Sequence, residues 1–168
     1  MNNQYWWQDR AWRIVQTNLR EIDMADMDAG EYVRQLQDFN ANTVIINTGG
    51  IAASYDSHLP FHARNRFLTG DSLKTVVRAC QDAGIRVISR VDFSKVRTPL
   101  YEQQPEWAYV SPRGEIINYH GLIHMCFNSE YQQKYALDIL REIIRDVDPD
   151  GLFLNMGGYS VALDYTRG

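Results

Sequence analysis

Thr43-Val44-Ile45-Ile46-Asn47-Thr48-Gly49-Gly50 is the stretch that decides how this chain folds. Its first four residues are all β-branched and run on without the polar alternation of a half-solvated strand. That pattern marks a strand covered on both faces, as in a parallel sheet. The two glycines close it. Parallel neighbours need a crossover, usually a helix, so helices should flank this strand.

Working outward, the flanks read that way. Upstream, Asp28 precedes a stripe of Tyr32, Val33, Leu36 and Phe39, with Glu31 three residues on to complete an acidic capping box and Asn40 as a stop. Before it, residues 13–18 are a short extended segment that ends in Asn18-Leu19-Arg20-Glu21. Downstream, Leu73, Val76, Val77 and Cys80 recur at helical spacing behind Asp71, Gly84 caps the helix end, and residues 85–92 make a third strand. Residues 93–128 are too long for an ordinary connection and should hold a hairpin pairing 107–110 with 115–119, turned at Ser111-Pro112-Arg113-Gly114. Ser129 and Gln132 form a second capping box. Tyr135, Ile139, Leu140, Ile143, Ile144 and Val147 form the buried side of a third helix, and Asp148-Pro149-Asp150-Gly151 turns into a fourth strand over 152–156.

The order βαβαβαβ, with no low-complexity linker, predicts an α/β fold of parallel (β/α) units, either barrel or open doubly wound sheet. Both place sites at the carboxyl ends of strands. The loops after the strands hold most of the polar and aromatic residues, whereas the turns into strands are tight. With 168 residues, 45% hydrophobic and 23% charged, the chain has the composition of one folded domain. Its 21 acidic against 17 basic residues, the latter scattered, argue against nucleic acid as a partner. No apolar run reaches the roughly 20 residues of a membrane helix. The polar start Met1-Asn2-Asn3-Gln4 lacks signal-peptide character, so a cytoplasmic location is expected.

The strand ends supply Asn18, Arg20 and Glu21, then Asn47, then Arg90 and Asp92, then Asn155. Amides, guanidinium groups and carboxylates at one mouth suit a ligand dense in hydroxyls, such as a sugar. Trp107, Tyr109, Tyr55 and Tyr119 could stack on a pyranose face, and His124 and Asn128 could contact it. Glycoside hydrolysis needs two carboxyl groups, and Glu21 and Asp92 are the candidates. A plain structural reading stands beside each: strand-end Asn and Asp satisfy turn backbone, Glu21 pairs with Arg20 or Arg90, and Asp92 caps a loop. No metal or cofactor is expected. The four histidines form no HExxH motif, and Gly49-Gly50 and Gly157-Gly158 match neither GxGxxG nor a Walker loop, leaving them as tight turns. Cys80 reads as core, and Cys126 has no activating partner in sequence.

Several strings together resemble a known family: residues 12–23, Asn47-Thr48-Gly49-Gly50-Ile51, Leu59-Pro60-Phe61-His62, residues 83–95, Pro105-Glu106-Trp107 and residues 150–156. They are similar to hypothetical glycosyl hydrolase 6, which is itself similar to fucosidase-like and galactosidase-like (β/α)8 barrels. The resemblance implies a TIM-barrel catalytic domain acting on a carbohydrate substrate. It also implies that residues 1–168 form the N-terminal half of such a barrel, about four βα units with the inserted loop 93–128. In fucosidase-like barrels the nucleophile is an Asp at the end of the fourth strand, where this chain has Asn155, so that role does not carry over. A half-barrel would leave the first and fourth strands as open edges, which could pair two copies into a homo-oligomer. The alternative is a non-catalytic α/β domain binding a sugar or another small polar ligand.

Overall fold

The structure, a computed structural model, describes residues 5–8 and 11–156. In chain order its elements are β1 (Ile14–Thr17), α1 (Ala29–Asp38), β2 (Thr43–Gly50), α2 (Ser72–Asp82), β3 (Arg86–Asp92), β4 (Lys95–Arg97), α3 (Thr98–Gln103), β5 (Asn118–Tyr119), β6 (Leu122–His124), α4 (Ala136–Asp146) and β7 (Gly151–Asn155). Four of the strands form a parallel sheet in the order β1-β2-β3-β7. In a doubly wound sheet the strand order reverses at a switch point. Here each strand lies beside its predecessor without reversal, the succession of a partial (β/α)8 barrel.

The register explains which residues are buried. Val15, Val44 and Val87 are aligned across three strands, as are Ile46, Ser89 and Leu152. These positions share one sheet face. Val44, Ile46 and Val87 join Leu73, Val76, Val77 and Cys80 of α2 and Ile139 and Ile143 of α4 in a single core. Each fully buried aliphatic side chain contributes about 1.5–3 kcal/mol. The other face carries Ile45, Asn47 and Arg90, which are half-buried, and Ile14 and Phe153, which are exposed. Leu152 and Leu154 are exposed as well.

A bulge interrupts the β2–β3 ladder. Asn47 faces Arg90, Thr48 is the extra residue, and pairing resumes with Gly49 opposite Val91 and Gly50 opposite Asp92. Thr48 Oγ1 donates to Ser89 Oγ at 2.8 Å, which satisfies a hydroxyl inside the core.

The helix ends obey local chemistry. The Asp28 carboxylate accepts the Glu31 N–H at 2.9 Å. Past α2, Gly84 sits at φ +75°, and the Ile85 N–H reaches back to the Cys80 carbonyl, a left-handed cap. Two capping boxes expected from sequence are not formed. Glu31 turns outward to Arg34 and Gln35. Ser129 donates to the Cys126 carbonyl and Gln132 to the Phe93 carbonyl, while the chain enters α4 through a π turn at Tyr131–Tyr135.

The 93–128 excursion departs from the expected hairpin. Its sheet is antiparallel in the order β4-β6-β5, and the 107–119 pairing is reduced to one bridge between Val110 and Ile116. Ala108 pairs with Met125 instead. The cause is burial: Trp107, 2% exposed, packs against Tyr131 and Tyr135, which draws its strand away from residues 115–119. Phe39 and Ile144, expected on buried stripes, face solvent. The turn expected at Gly157-Gly158 lies outside the described residues. Among those described, no helix is long and apolar enough to cross a membrane.

Candidate functional site

The C-terminal ends of β1, β2 and β3 open into one cleft of about 440 Å³. Its lining includes Arg20, Glu21, Asn47, Thr48, Gly49, Ser54, Arg90, Asp92, Arg97, His120 and Leu122. The parallel strands end together, so their last side chains and following loops converge there.

Beyond β1, a short 3₁₀ helix (Glu21–Met24) carries Glu21 into the cleft. Arg20 folds back to grip Asp23 at 2.9 Å, so it is not the partner of Glu21. Glu21 instead accepts from Arg97, which β4 delivers from the excursion. On β2, Asn47 donates to the Leu19 carbonyl at 2.7 Å, and its Oδ1 accepts from Arg90 Nη1 at 2.7 Å. Asp92 ends β3 with both oxygens engaged. Oδ1 accepts from the Ser94 N–H at 2.9 Å and its hydroxyl at 2.5 Å, and Oδ2 accepts from Asn155 at 3.1 Å. Asp92 therefore caps the loop it begins while its carboxylate lines the cleft. His120, at φ +52° in the β5–β6 turn, reaches in from the other side.

Close approach of the strands holds Asp92 where it is. A Cβ on Gly50, at φ +103°, would stand 2.1 Å from the Asp92 carbonyl oxygen. The Gly50 N–H donates to His62 Nε2 at 3.1 Å, and His62 Nδ1 lies 3.5 Å from the Tyr55 hydroxyl. Tyr55 donates in turn to Glu142 of α4 at 2.8 Å, and Glu142 also accepts from Ser57 at 2.6 Å and from the His58 N–H at 2.8 Å. This chain of bonds ties the loop after β2 to α4. Burial pushes the His62 imidazole down to about 4, although the Glu142 charge opposes the shift. Burial and the Glu142 carboxylate push the Tyr55 hydroxyl up.

Of the residues singled out from sequence, Arg20, Glu21, Asn47, Arg90 and Asp92 share the cleft lining. Asn155 stands behind Asp92 as its hydrogen-bond donor. Asn18 is exposed and accepts from Gln16. His124 lies on β6 outside the lining, its imidazole lowered by burial, and Asn128 is outside it too. Two expected stacking aromatics are core residues: Trp107 packs on tyrosines, and Tyr55, 1% exposed, is committed to Glu142. Tyr109 does not line the cleft, and Tyr119 projects into solvent edge-on to His120. Sequence reasoning missed Arg97, His120 and the His62–Glu142 network. Glu142 had a signal, a carboxylate between Ile139 and Ile143 on an apolar stripe. Among the described residues no group of three His, Cys, Asp or Glu side chains is arranged to hold a metal ion.

The sequence profile of the hypothetical glycosyl hydrolase 6 family matches residues 28–156. No curated protein matches the chain in sequence. Solved structures share its fold. The alpha-L-fucosidase isoenzyme 2 from Paenibacillus thiaminolyticus superposes with a TM-score of 0.75 at 18% identity, over 90% of this chain and 24% of its own. A maltogenic alpha-amylase from Thermotoga neapolitana gives 0.59 at 14% identity, over 92% of this chain and 43% of its own. The alpha-galactosidase from Lactobacillus brevis gives 0.58 at 13% identity, over 86% and 20% respectively. The chain thus spans about a quarter of the fucosidase's length.

Proposed function

Because the chain belongs to the hypothetical glycosyl hydrolase 6 family, we propose that its cleft forms part of a site that hydrolyses O-glycosidic bonds. The observation that carries this reading is the shared lining of one cleft by Glu21 and Asp92, together with Asn47 and Arg90. Hydrolysis of a glycoside uses one carboxyl group as acid and another as nucleophile or base. Asp92 and Glu21 supply this pair of carboxyl groups, Asp92 positioned by Ser94 and Asn155 and Glu21 by Arg97. Asn47 and Arg90 hydrogen-bond sugar hydroxyls. The protein carrying this chain, assayed on a panel of aryl glycosides, is expected to lose on the order of 10³-fold or more in kcat on Asp92→Asn, with a similar loss on Glu21→Gln. The reading fails if no glycoside is cleaved and neither substitution alters carbohydrate binding.

A second reading rests on one observation: the Glu21 carboxylate is already committed to Arg97. On that reading the cleft binds a saccharide without cleaving it. Sugar binding without turnover, weakened by Asp92→Asn, would favour it.

A further inference from the structure

Arg90 stands out among the three arginines that line the cleft. Arg20 is taken by Asp23 and Arg97 by Glu21, whereas Arg90 makes no ion pair among the described residues. One of its nitrogens, Nη1, donates to the neutral Asn47. Its Nε is buried with no hydrogen-bond partner. The strand register explains why no neighbour fills the gap. Asn47 faces Arg90 from β2 with one amide oxygen, and Phe153 faces it from β7 with no acceptor at all. Asp92, two residues on along the same strand, has its oxygens engaged by Ser94 and Asn155 instead.

A buried guanidinium donor left unpaired costs free energy, about 1–3 kcal/mol and more for a charged group. A guanidinium that lines a cleft without an ion pair is answered by a carboxylate, through a charge-assisted hydrogen bond stronger than one to a neutral hydroxyl. The chain as a whole carries a net charge of −4, so general attraction of anions cannot account for a cationic group in this position.

Resting on the glycosidase reading, we propose that the sugar bound in this cleft is acidic: a uronic-acid residue whose carboxylate pairs with Arg90. The Asn47 side chain, pinned by the Leu19 carbonyl, holds Nη1 and so fixes the guanidinium in the cleft wall. Arg90 is a specificity residue in this scheme, and Asp92 and Glu21 keep the chemistry.

Isothermal titration of the full protein with sodium D-glucuronate, D-galacturonate, D-glucose, D-galactose and inorganic phosphate tests this directly. One of the uronates is expected to bind about 10- to 100-fold tighter than its neutral counterpart, the range of one charge-assisted hydrogen-bond pair. Arg90→Gln should close that gap, lowering uronate affinity by about 10- to 100-fold and neutral-sugar affinity by clearly less. Arg90→Lys, which keeps the charge but not the fork, should restore only part of it. The wild-type comparison needs no variant to fold. Equal affinity for uronate and neutral sugar overturns the proposal and leaves the glycosidase reading intact. Binding of phosphate with no sugar bound overturns both. An Arg90→Gln protein that loses neutral and acidic sugars alike would make Arg90 a support for Asn47, and the proposal would fail there too.

Discussion

Replacing Gly50 by alanine tests whether the strand ends are as tightly joined as the geometry requires. The new Cβ would stand 2.1 Å from the Asp92 carbonyl oxygen, 2.5 Å from its carbon and 2.6 Å from its nitrogen. All three are backbone atoms, so no side-chain rotation relieves the overlap and β2 and β3 must part. Overpacking of this kind costs about 1–3 kcal/mol or more. The left-handed backbone at φ +103° adds about 1–3 kcal/mol for a residue with a Cβ. Together they reach about 3–5 kcal/mol, a large share of the roughly 5–15 kcal/mol that holds a domain folded. In a chain of this size that lowers Tm by about 10 °C. Gly70 supplies the control. It lies at φ +54° with no heavy atom within 4 Å of the added carbon, so Gly70→Ala carries only the backbone cost, about 1–2 kcal/mol. Thermal melts of the two variants, followed by circular dichroism, separate clash from strain. A Gly50→Ala protein that melts within about 2 °C of Gly70→Ala would refute the close-approach argument.

Three further outcomes follow from the buried polar network and the cleft. Glu142→Ala removes the common acceptor of Tyr55, Ser57 and the His58 N–H, and should cost about 3–5 kcal/mol; Glu142→Gln, which keeps an acceptor, should cost clearly less in urea denaturation, and equal midpoints would contradict the assignment. His62 is held neutral in the fold, its pKa lowered to about 4, while the unfolded chain takes up a proton near the ordinary 6.5. The unfolded state thus binds the extra proton between those values, so stability should fall by up to about 3 kcal/mol as the pH drops from 6.5 to 4, and His62→Gln should flatten that slope in acid unfolding. Arg97→Met breaks a half-exposed ion pair, so stability should change by less than about 1 kcal/mol. Ligand affinity or turnover should nonetheless fall as Glu21 loses its orientation, and an unchanged KM and kcat would count against Glu21 as a working group.

The parallel sheet was legible because its signal is local: Val44, Ile45 and Ile46 are β-branched without alternation, and Asp28 and Gly84 mark helix ends by their own chemistry. The excursion was not, because its pairing is decided at a distance. Nothing in residues 107–119 states that Trp107 will be pulled under Tyr131 and Tyr135. The same limit applies to the site. Glu21, Asn47, Arg90 and Asp92 could be grouped because each follows or ends a strand, and parallel strands end at one rim. Arg97 could not, since its approach depends on the β4–β6 pairing. Tyr55 and Trp107 were misplaced for a related reason: an aromatic in a loop gives no local sign of whether it faces a ligand or fills the interior.

The extra residue at Thr48 separates two design problems along one strand. On its near side, Val44 and Ile46 answer to the packing of helices; on its far side, Gly50 answers to the backbone of Asp92. A one-residue insertion in an uninterrupted strand would turn every later side chain to the opposite face. Here that inversion is already built in and confined to the last turn of pleat. The rim of the cleft is thus set by one backbone contact and the interior beneath it by side-chain packing, so a change in one need not be repaid in the other.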